Sequence, residues 1–214
     1  MIIDRHERAR ILLDQFTARE VILVGNHFLL SSGKHSLEYF AKDIIYSYPA
    51  LLGKITQCLM DDLDHYGFDV MVGPEKGGII LSGATSILIS KSFGYLNIRN
   101  AFAEKKTDGT FYFGRDYDKL IAGKRIAIVE DVLTTGDSVA GVIKEVIRLG
   151  GEVVVVGAIC NRGGVTAEKL GVPALCSLLE LNIPTYDEVD CVACQKGTPF
   201  NQEFGHCAKV KVKT

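Results

Sequence analysis

The 214-residue sequence lacks any long apolar run. Its longest, Val153–Cys160, holds eight residues with Gly157 counted in, against roughly 18 for a membrane span, so no membrane partner is expected. An excess of one charge is missing too. Basic side chains number 24 and acidic ones 26, for a formal net charge of −2, which offers no bulk field to nucleic acid or to an anionic surface. The opening Met1-Ile2-Ile3-Asp4-Arg5-His6-Glu7-Arg8 mixes charges at once and has no apolar centre of the signal-peptide kind. A soluble, cytoplasmic chain is the expectation. No internal repeat, low-complexity tract or Pro/Ser-rich linker is visible. No two glycines stand two residues apart, which removes the GxGxxG dinucleotide loop, and no GxxxxGK[ST] occurs, which removes the P-loop hydrolases.

What is present is globular, at 47% apolar and 23% charged residues. The length suits one domain, residues 1–214, that can bury most of its apolar surface without a disulfide or a metal. Cys58, Cys160 and Cys176 sit singly among apolar neighbours and read as small buried hydrophobes. The periodicity predicts a helix from Arg5 to about Val24, closed by Gly25, then an extended stretch from His27. A turn over Ser31–Ser36 leads to a second extended run through Tyr39, Phe40, Ile44 and Ile45. Residues up to about 48 therefore form a hairpin-like N-terminal lobe. A helix starts at Pro49 and ends near Gly67. Beyond it come strands at Asp69–Val72, Tyr95–Arg99, Arg125–Val129, Gly151–Ile159 and Pro173–Leu181, with helices over Gly78–Ser90 and Ser138–Leu149. Glu104–Tyr117 has no clear period, and the tail from about 185 to 214 is irregular. Strand and helix in alternation imply an α/β fold with a mainly parallel sheet covered on both faces.

Ligands of such sheets bind beyond the carboxyl ends of the strands. One strand there is followed by Glu130-Asp131-Val132-Leu133-Thr134-Thr135-Gly136-Asp137-Ser138. The hydroxyls of Thr134, Thr135 and Ser138, the tight turn allowed by Gly136 and the N-terminus of the next helix all favour a phosphate dianion. The adjacent carboxylates would repel phosphate but accept hydrogen bonds from sugar hydroxyls. Together they point to one ligand bearing both, a ribose 5-phosphate. The alternative is a strand–turn–helix junction whose Thr, Asp and Ser only cap the helix.

Val129–Ser138 resembles the phosphoribosyl pyrophosphate motif of type I phosphoribosyltransferases. Further stretches resemble orotate phosphoribosyltransferases in order and spacing: His27–Ser36, Gly73-Pro74 with Gly77-Gly78-Ile79, Phe102–Lys105, Asn161-Arg162-Gly163-Gly164, and Leu178–Tyr186 before Cys191-x2-Cys194. The resemblance covers about residues 25–205. It implies a type I phosphoribosyltransferase-like fold, a mainly parallel sheet flanked by helices with a small N-terminal hood. It also implies a pentosyl-transferring enzyme that converts orotate and 5-phosphoribosyl 1-pyrophosphate (PRPP) to orotidine 5′-monophosphate and pyrophosphate in pyrimidine (UMP) biosynthesis.

The same resemblance assigns roles. Thr134, Thr135, Gly136, Asp137 and Ser138 would hold the 5-phosphate, Glu130 and Asp131 the ribose hydroxyls, with Asp131 also stabilising charge on the sugar. The loop with Gly77 and Gly78 would wrap the pyrophosphate. Lys105 and Lys106 would belong to a mobile catalytic loop that reaches into the neighbour's site in a homodimer with shared active sites, Arg115 being a weaker candidate cation. Arg162 would contact orotate, for which a planar guanidinium is suited, and Ser32, Lys34 and Ser36 would form a hood over the base. Mg²⁺ is expected mainly through PRPP oxygens, with no metal-ligating side chains of its own.

The sequence departs from the family pattern at Ser31, where many members carry lysine, at Leu37-Glu38-Tyr39 after the hood serine, at Asn161, where Asp commonly precedes the arginine, and in a shorter lysine loop. A phosphoribosyltransferase for a purine or uracil, or a non-catalytic PRPP-sensing regulator, are the alternatives. The first predicts that Arg162 is not aimed at a carboxylate. Against the second, the chain keeps Glu130-Asp131 and the lysine loop and has no basic stripe. Cys191-x2-Cys194 with His206-Cys207 could supply four zinc ligands, but the reading without a metal is preferred, because ligands at adjacent positions are awkward and a second CxxC is missing.

Overall fold

A computed structural model describes residues 5–30, 32–93, 98–205 and 207. They fall into two units, Met1–Ala9 with Tyr48–Leu181, and Arg10–Ser47 with Asn182–Thr214. No helix among the described residues is long and apolar enough to cross a membrane.

Helix α1 (Arg5–Thr17) runs into the smaller unit and stops well before Val24. Glu20 takes a left-handed conformation (φ 56°), and the Val21 amide returns to the Phe16 carbonyl at 2.8 Å, closing the helix end. Because a glutamate rather than a glycine fills that position, no residue before Gly25 signals the stop. Strand β1 (Ile22–Leu29) pairs antiparallel with β2 (His35–Phe40) and bulges between Val24 and Phe28, where Gly25 has φ 73°. Phe16 packs edge-on to Phe40 at 5.7 Å, and Phe28 stacks on Tyr39 at 5.2 Å. Ile44 and Ile45, expected in the second extended run, instead lie in a short helix α2 (Asp43–Ser47).

In the larger unit, α3 (Pro49–Leu63) starts with Pro49 in its first turn and buries Leu51, Ile55, Leu59 and Leu63 along one face. Then follow β3 (Val70–Pro74), α4 (Gly77–Phe93), β4 (Arg99–Lys105), β5 (Phe111–Tyr112), α5 (Asp118–Ile121), β6 (Arg125–Leu133), α6 (Asp137–Arg148), β7 (Glu152–Asn161), α7 (Ala167–Leu170) and β8 (Leu175–Glu180). The sheet order is β5-β4-β3-β6-β7-β8, parallel throughout except for β4–β5. That is the mainly parallel α/β architecture expected. Val156 and Ala158 on β7 join the core cluster that contains Val139, Val142, Ile143 and Val146 of α6. Gly157 between them faces the other way, and a Cβ there would come within 2.9 Å of Leu63 on α3. Helices thus cover both faces of the sheet, which is why the middle stretches of its central strands, Val70–Val72, Ile126–Val129 and Val153–Cys160, are apolar.

Of the strand predicted over Tyr95–Arg99, residues 95–97 lie outside the described ones, Ile98 is not in a strand, and β4 includes Arg99. The Glu104–Tyr117 stretch, which shows no clear period, contains an antiparallel hairpin in which Lys105 pairs with Phe111. The tail of the smaller unit also has local order, a 3₁₀ turn at Glu188–Asp190 and a helix α8 (Val192–Gln195).

Candidate active site

Strand β6 carries the acidic pair. It runs on through Leu133, so Glu130 and Asp131 are strand residues rather than the start of a loop. Both are buried, at 7% and 1% exposure. The Glu130 carboxylate accepts the Asp131 amide at 3.0 Å. Gly136 then turns the chain with φ 84° and forms the cap of α6, whose Asp137 and Ser138 lie in its first turn. Thr135 donates its hydroxyl to Asp137 Oδ2 at 2.8 Å. An open cavity of about 110 Å³ is lined by Glu130, Val132 and the run Leu133–Val139. Every residue predicted to hold the sugar phosphate except Asp131 therefore lines one cavity, beneath the N-terminal amides of a 12-residue helix.

The turn after β7 crosses this loop closely. The amides of Arg162 and Gly163 both donate to the Leu133 carbonyl, at 2.9 and 3.2 Å. A Cβ on Gly163 would overlap the Thr134 carbonyl oxygen, so only glycine permits the approach. Arg162 Nε donates to Thr134 Oγ1 at 3.1 Å, which joins the predicted base-contacting arginine to the predicted phosphate loop. Its guanidinium does not itself line the cavity. Asn161, not among the expected site residues, fastens the turn. Its Nδ2 donates to the Val165 carbonyl at 2.9 Å and its Oδ1 accepts the Val165 amide at 3.0 Å.

Gly77 and Gly78 open α4 after β3. A Cβ on Gly73 would overlap the Gly78 carbonyl oxygen, and one on Gly78 would come within 2.7 Å of Pro74 Cδ, so the β3–α4 loop is folded tightly on itself. Lys105 and Lys106 are exposed on the β4–β5 hairpin and do not line the cavity. Their ammonium groups sit 5.6 Å over the Phe111 ring and 5.5 Å over the Tyr112 ring. Asp108 shapes the hairpin tip by accepting the Thr110 amide and hydroxyl, at 2.9 and 2.6 Å, and these bonds hold its carboxyl below the usual range. Arg115 is 3.5 Å from Glu104.

Ser32 and Lys34 belong to the smaller unit. Ser32 Oγ accepts the Lys34 amide at 3.4 Å, and Lys34 Nζ pairs with Asp187 at 3.2 Å. Ser36 donates its hydroxyl to the Pro184 carbonyl at 2.8 Å. The same unit brings Cys191 and Cys194 against His27 and His35, with the four ligand atoms all within 4.8 Å of one another. Cys207 is not in that group, and His206 lies outside the described residues. The two histidines went unrecognised because their cysteine partners are more than 150 positions away along the chain, 164 for His27 and Cys191. In the larger unit, burial pushes the Cys160 thiol up to about 12, leaving it an inert core group as expected.

The phosphoribosyl transferase domain family matches residues 42–183. The chain is 37% identical to the orotate phosphoribosyltransferase of Desulforamulus reducens over 88% of its own length and 92% of that protein's. It is 39% identical to the orotate phosphoribosyltransferase of Caldanaerobacter subterraneus subsp. tengcongensis, over 88% and 93%. Among solved structures, orotate phosphoribosyltransferase from Aeropyrum pernix has a TM-score of 0.65 at 23% identity, covering 79% of this chain and 93% of that one, a likeness of fold. With its motifs, its sheet order and these relatives in agreement, the chain belongs to the orotate phosphoribosyltransferase family of phosphoribosyl transferase domains.

Proposed function

We propose that the protein transfers the phosphoribosyl group of PRPP to orotate, giving orotidine 5′-monophosphate and pyrophosphate, as a step of pyrimidine biosynthesis. The observation that carries this reading is the β6–α6 crossover, where two buried carboxylates precede a hydroxyl-rich loop at a helix N-terminus. The 5-phosphate is held by the hydroxyls of Thr134, Thr135 and Ser138 and the amides around Gly136 and Asp137. Glu130 and Asp131 accept the ribose hydroxyls. A ring nitrogen of orotate bonds to C1 as the C1–O bond to pyrophosphate breaks; the bonding electrons leave with the pyrophosphate, and the proton of the ring N–H passes to the pyrophosphate or to solvent. The sugar passes through a state with positive charge, which Asp131 stabilises in its buried setting. Arg162, steadied by Thr134, pairs with the orotate carboxylate or carbonyl oxygens.

Lys105 and Lys106 neutralise the leaving pyrophosphate when the hairpin closes over the site, and the tight loop at Gly77 and Gly78 wraps it. Oxygen-rich ligands suit Mg²⁺, and the carboxylates of Glu130 and Asp131 are donors of that kind beside the PRPP oxygens that would hold it. When bound, the cation would offset charge on the pyrophosphate. A homodimer in which each lysine hairpin serves the neighbouring site agrees with the exposed apolar Ile80 and Ile87, seven residues apart on α4, at 48% and 58% exposure. A reducing, cytoplasmic setting agrees with six free cysteines.

The test mixes protein, Mg²⁺ and PRPP with orotate, hypoxanthine, adenine or uracil in turn and follows base absorbance. Turnover with orotate is expected. Turnover with another base and none with orotate refutes the reading, and binding of PRPP without any turnover favours the sensing alternative.

A further inference from the structure

We infer that the smaller unit holds a structural zinc ion on His27, His35, Cys191 and Cys194. The inference stands apart from the proposed reaction. It replaces the expectation of no metal-ligating side chains, which considered only His206 and Cys207 as partners for the cysteines.

The distances carry the argument. Zinc bonds of about 2.0–2.1 Å to nitrogen and about 2.3 Å to sulfur, set tetrahedrally, place ligand atoms about 3.3 Å apart for N···N and about 3.6 Å for N···S. His27 Nε2 lies 3.2 Å from His35 Nδ1, 3.5 Å from Cys191 Sγ and 3.7 Å from Cys194 Sγ. Cys194 Sγ is 3.2 Å from His35 Nδ1. Thiol-to-imidazole hydrogen bonds account for only part of this convergence. The other ring nitrogen of His27, Nδ1, is 2.8 Å from the Thr198 carbonyl, which can only accept, so Nδ1 is the donor there, and in that tautomer of the neutral ring Nε2 offers one lone pair. Three neighbours then compete for that one lone pair. A cation at their centre takes a lone pair from each of the four atoms.

The surroundings suit a closed, non-catalytic site. Cys191 is fully buried, and His27 and His35 are 2% and 5% exposed. The carbonyl of Thr198 fixes the His27 tautomer and ring, the outer-shell partner that zinc-bound histidines generally have. Phe200 covers both imidazoles, with ring centroids 4.1 and 4.9 Å away. Four protein ligands leave no open position for water or substrate. The ion would join the β1–β2 hairpin to the tail, two segments that backbone bonds already connect on either side, His35 with Tyr186 and Asn201 with His27. A unit of this size has a small core of its own, the circumstance in which metal binding contributes to folding.

The test is metal analysis of the purified, untagged full-length protein. About one zinc per chain is expected, lost with Cys191→Ser and retained with Cys207→Ser. If Cys191→Ser fails to fold, the wild-type protein is stripped with a chelator and titrated with Co²⁺. Tetrahedral ligand-field bands and thiolate charge transfer, saturating at about one equivalent, support the site. Chelation is also expected to lower Tm and to open the tail to proteolysis. Sub-stoichiometric zinc after growth in zinc-supplemented medium, together with no tetrahedral cobalt spectrum, overturns the proposal. So does a zinc content that Cys207→Ser removes and Cys191→Ser leaves intact.

Discussion

Replacing Asn161 with aspartate tests how the turn that carries Arg162 is held. The two side chains have the same shape, but only the amide can donate. Asn161 is 4% exposed, and its Nδ2 reaches the Val165 carbonyl at 2.9 Å and, at the limit of a hydrogen bond, Glu180 Oε1 at 3.5 Å. An ionised aspartate would leave the Val165 carbonyl facing another acceptor, a loss of about 1–3 kcal/mol. Burying the charge adds to this, while repulsion from Glu180, an exposed residue, contributes about 1 kcal/mol or less. The expected destabilisation at pH 7 is about 2–4 kcal/mol, or roughly 5–15 °C in Tm. The sign with pH follows. Burial and Glu180 raise the new carboxyl above its unfolded value of about 3.9, and a protonated carboxyl can donate to Val165 as the amide does. The deficit relative to wild type is therefore small near pH 4, grows as pH rises through the raised folded pKa, and then levels off. Urea unfolding of both proteins between pH 4.5 and 8 measures it, and Glu180→Gln in the variant background should recover part of the loss. A deficit that stays under about 0.5 kcal/mol and does not vary with pH refutes the account of Asn161 as the fastener of this turn.

Arg162→Ala should raise KM for orotate about 10- to 100-fold with a smaller change in kcat, since it removes a charge-assisted contact; steady-state kinetics at saturating PRPP decide. Asp131→Asn should lower kcat about 100- to 1,000-fold while circular dichroism stays that of wild type, and near-normal turnover would remove Asp131 from the chemistry. Gly136→Ala adds a Cβ at φ 84°, 3.2 Å from Val165 and Leu170, so a loss of about 1–2 kcal/mol in stability and weaker PRPP binding are expected, read by urea unfolding and by calorimetry. Lys105→Ala should slow turnover at saturating PRPP far more than it changes Tm, because the side chain is exposed on its hairpin.

How far the sequence could be read depended on how local each structural cause is. The β6–α6 crossover is one continuous run of residues, and its cavity is lined by that run alone, so its chemistry was visible in the order Glu130 to Ser138. The sheet followed from strand–helix alternation for the same reason. The end of α1 was missed because Glu20 adopts a conformation that sequence statistics reserve for glycine. The β4–β5 hairpin was missed because β5 has two residues, too few to show a period. The role of Asn161 was hidden because it depends on Val165 and Glu180, and Glu180 lies on the neighbouring strand β8.

The zinc ligands mark the limit of this kind of reading. A CxxC pair announces two ligands, and the spacing rules then direct attention to the next Cys or His along the chain, here His206 and Cys207. The fold instead supplies histidines from either side of a hairpin turn near the start, His27 and His35, 164 and 159 positions from their respective cysteines. No local rule spans that separation, because closing so long a loop depends on every backbone pairing in between. What the sequence does carry is a correlated demand: if the ion is bound, the two histidines and two cysteines must be kept or lost together, and a chain with one half of the set would leave unsatisfied nitrogen or sulfur in a buried site. Substituting His27 and His35 should therefore abolish metal binding as completely as substituting the cysteines, and a variant lacking both histidines that still holds zinc at Cys191 and Cys194 with wild-type affinity would place the missing ligands elsewhere.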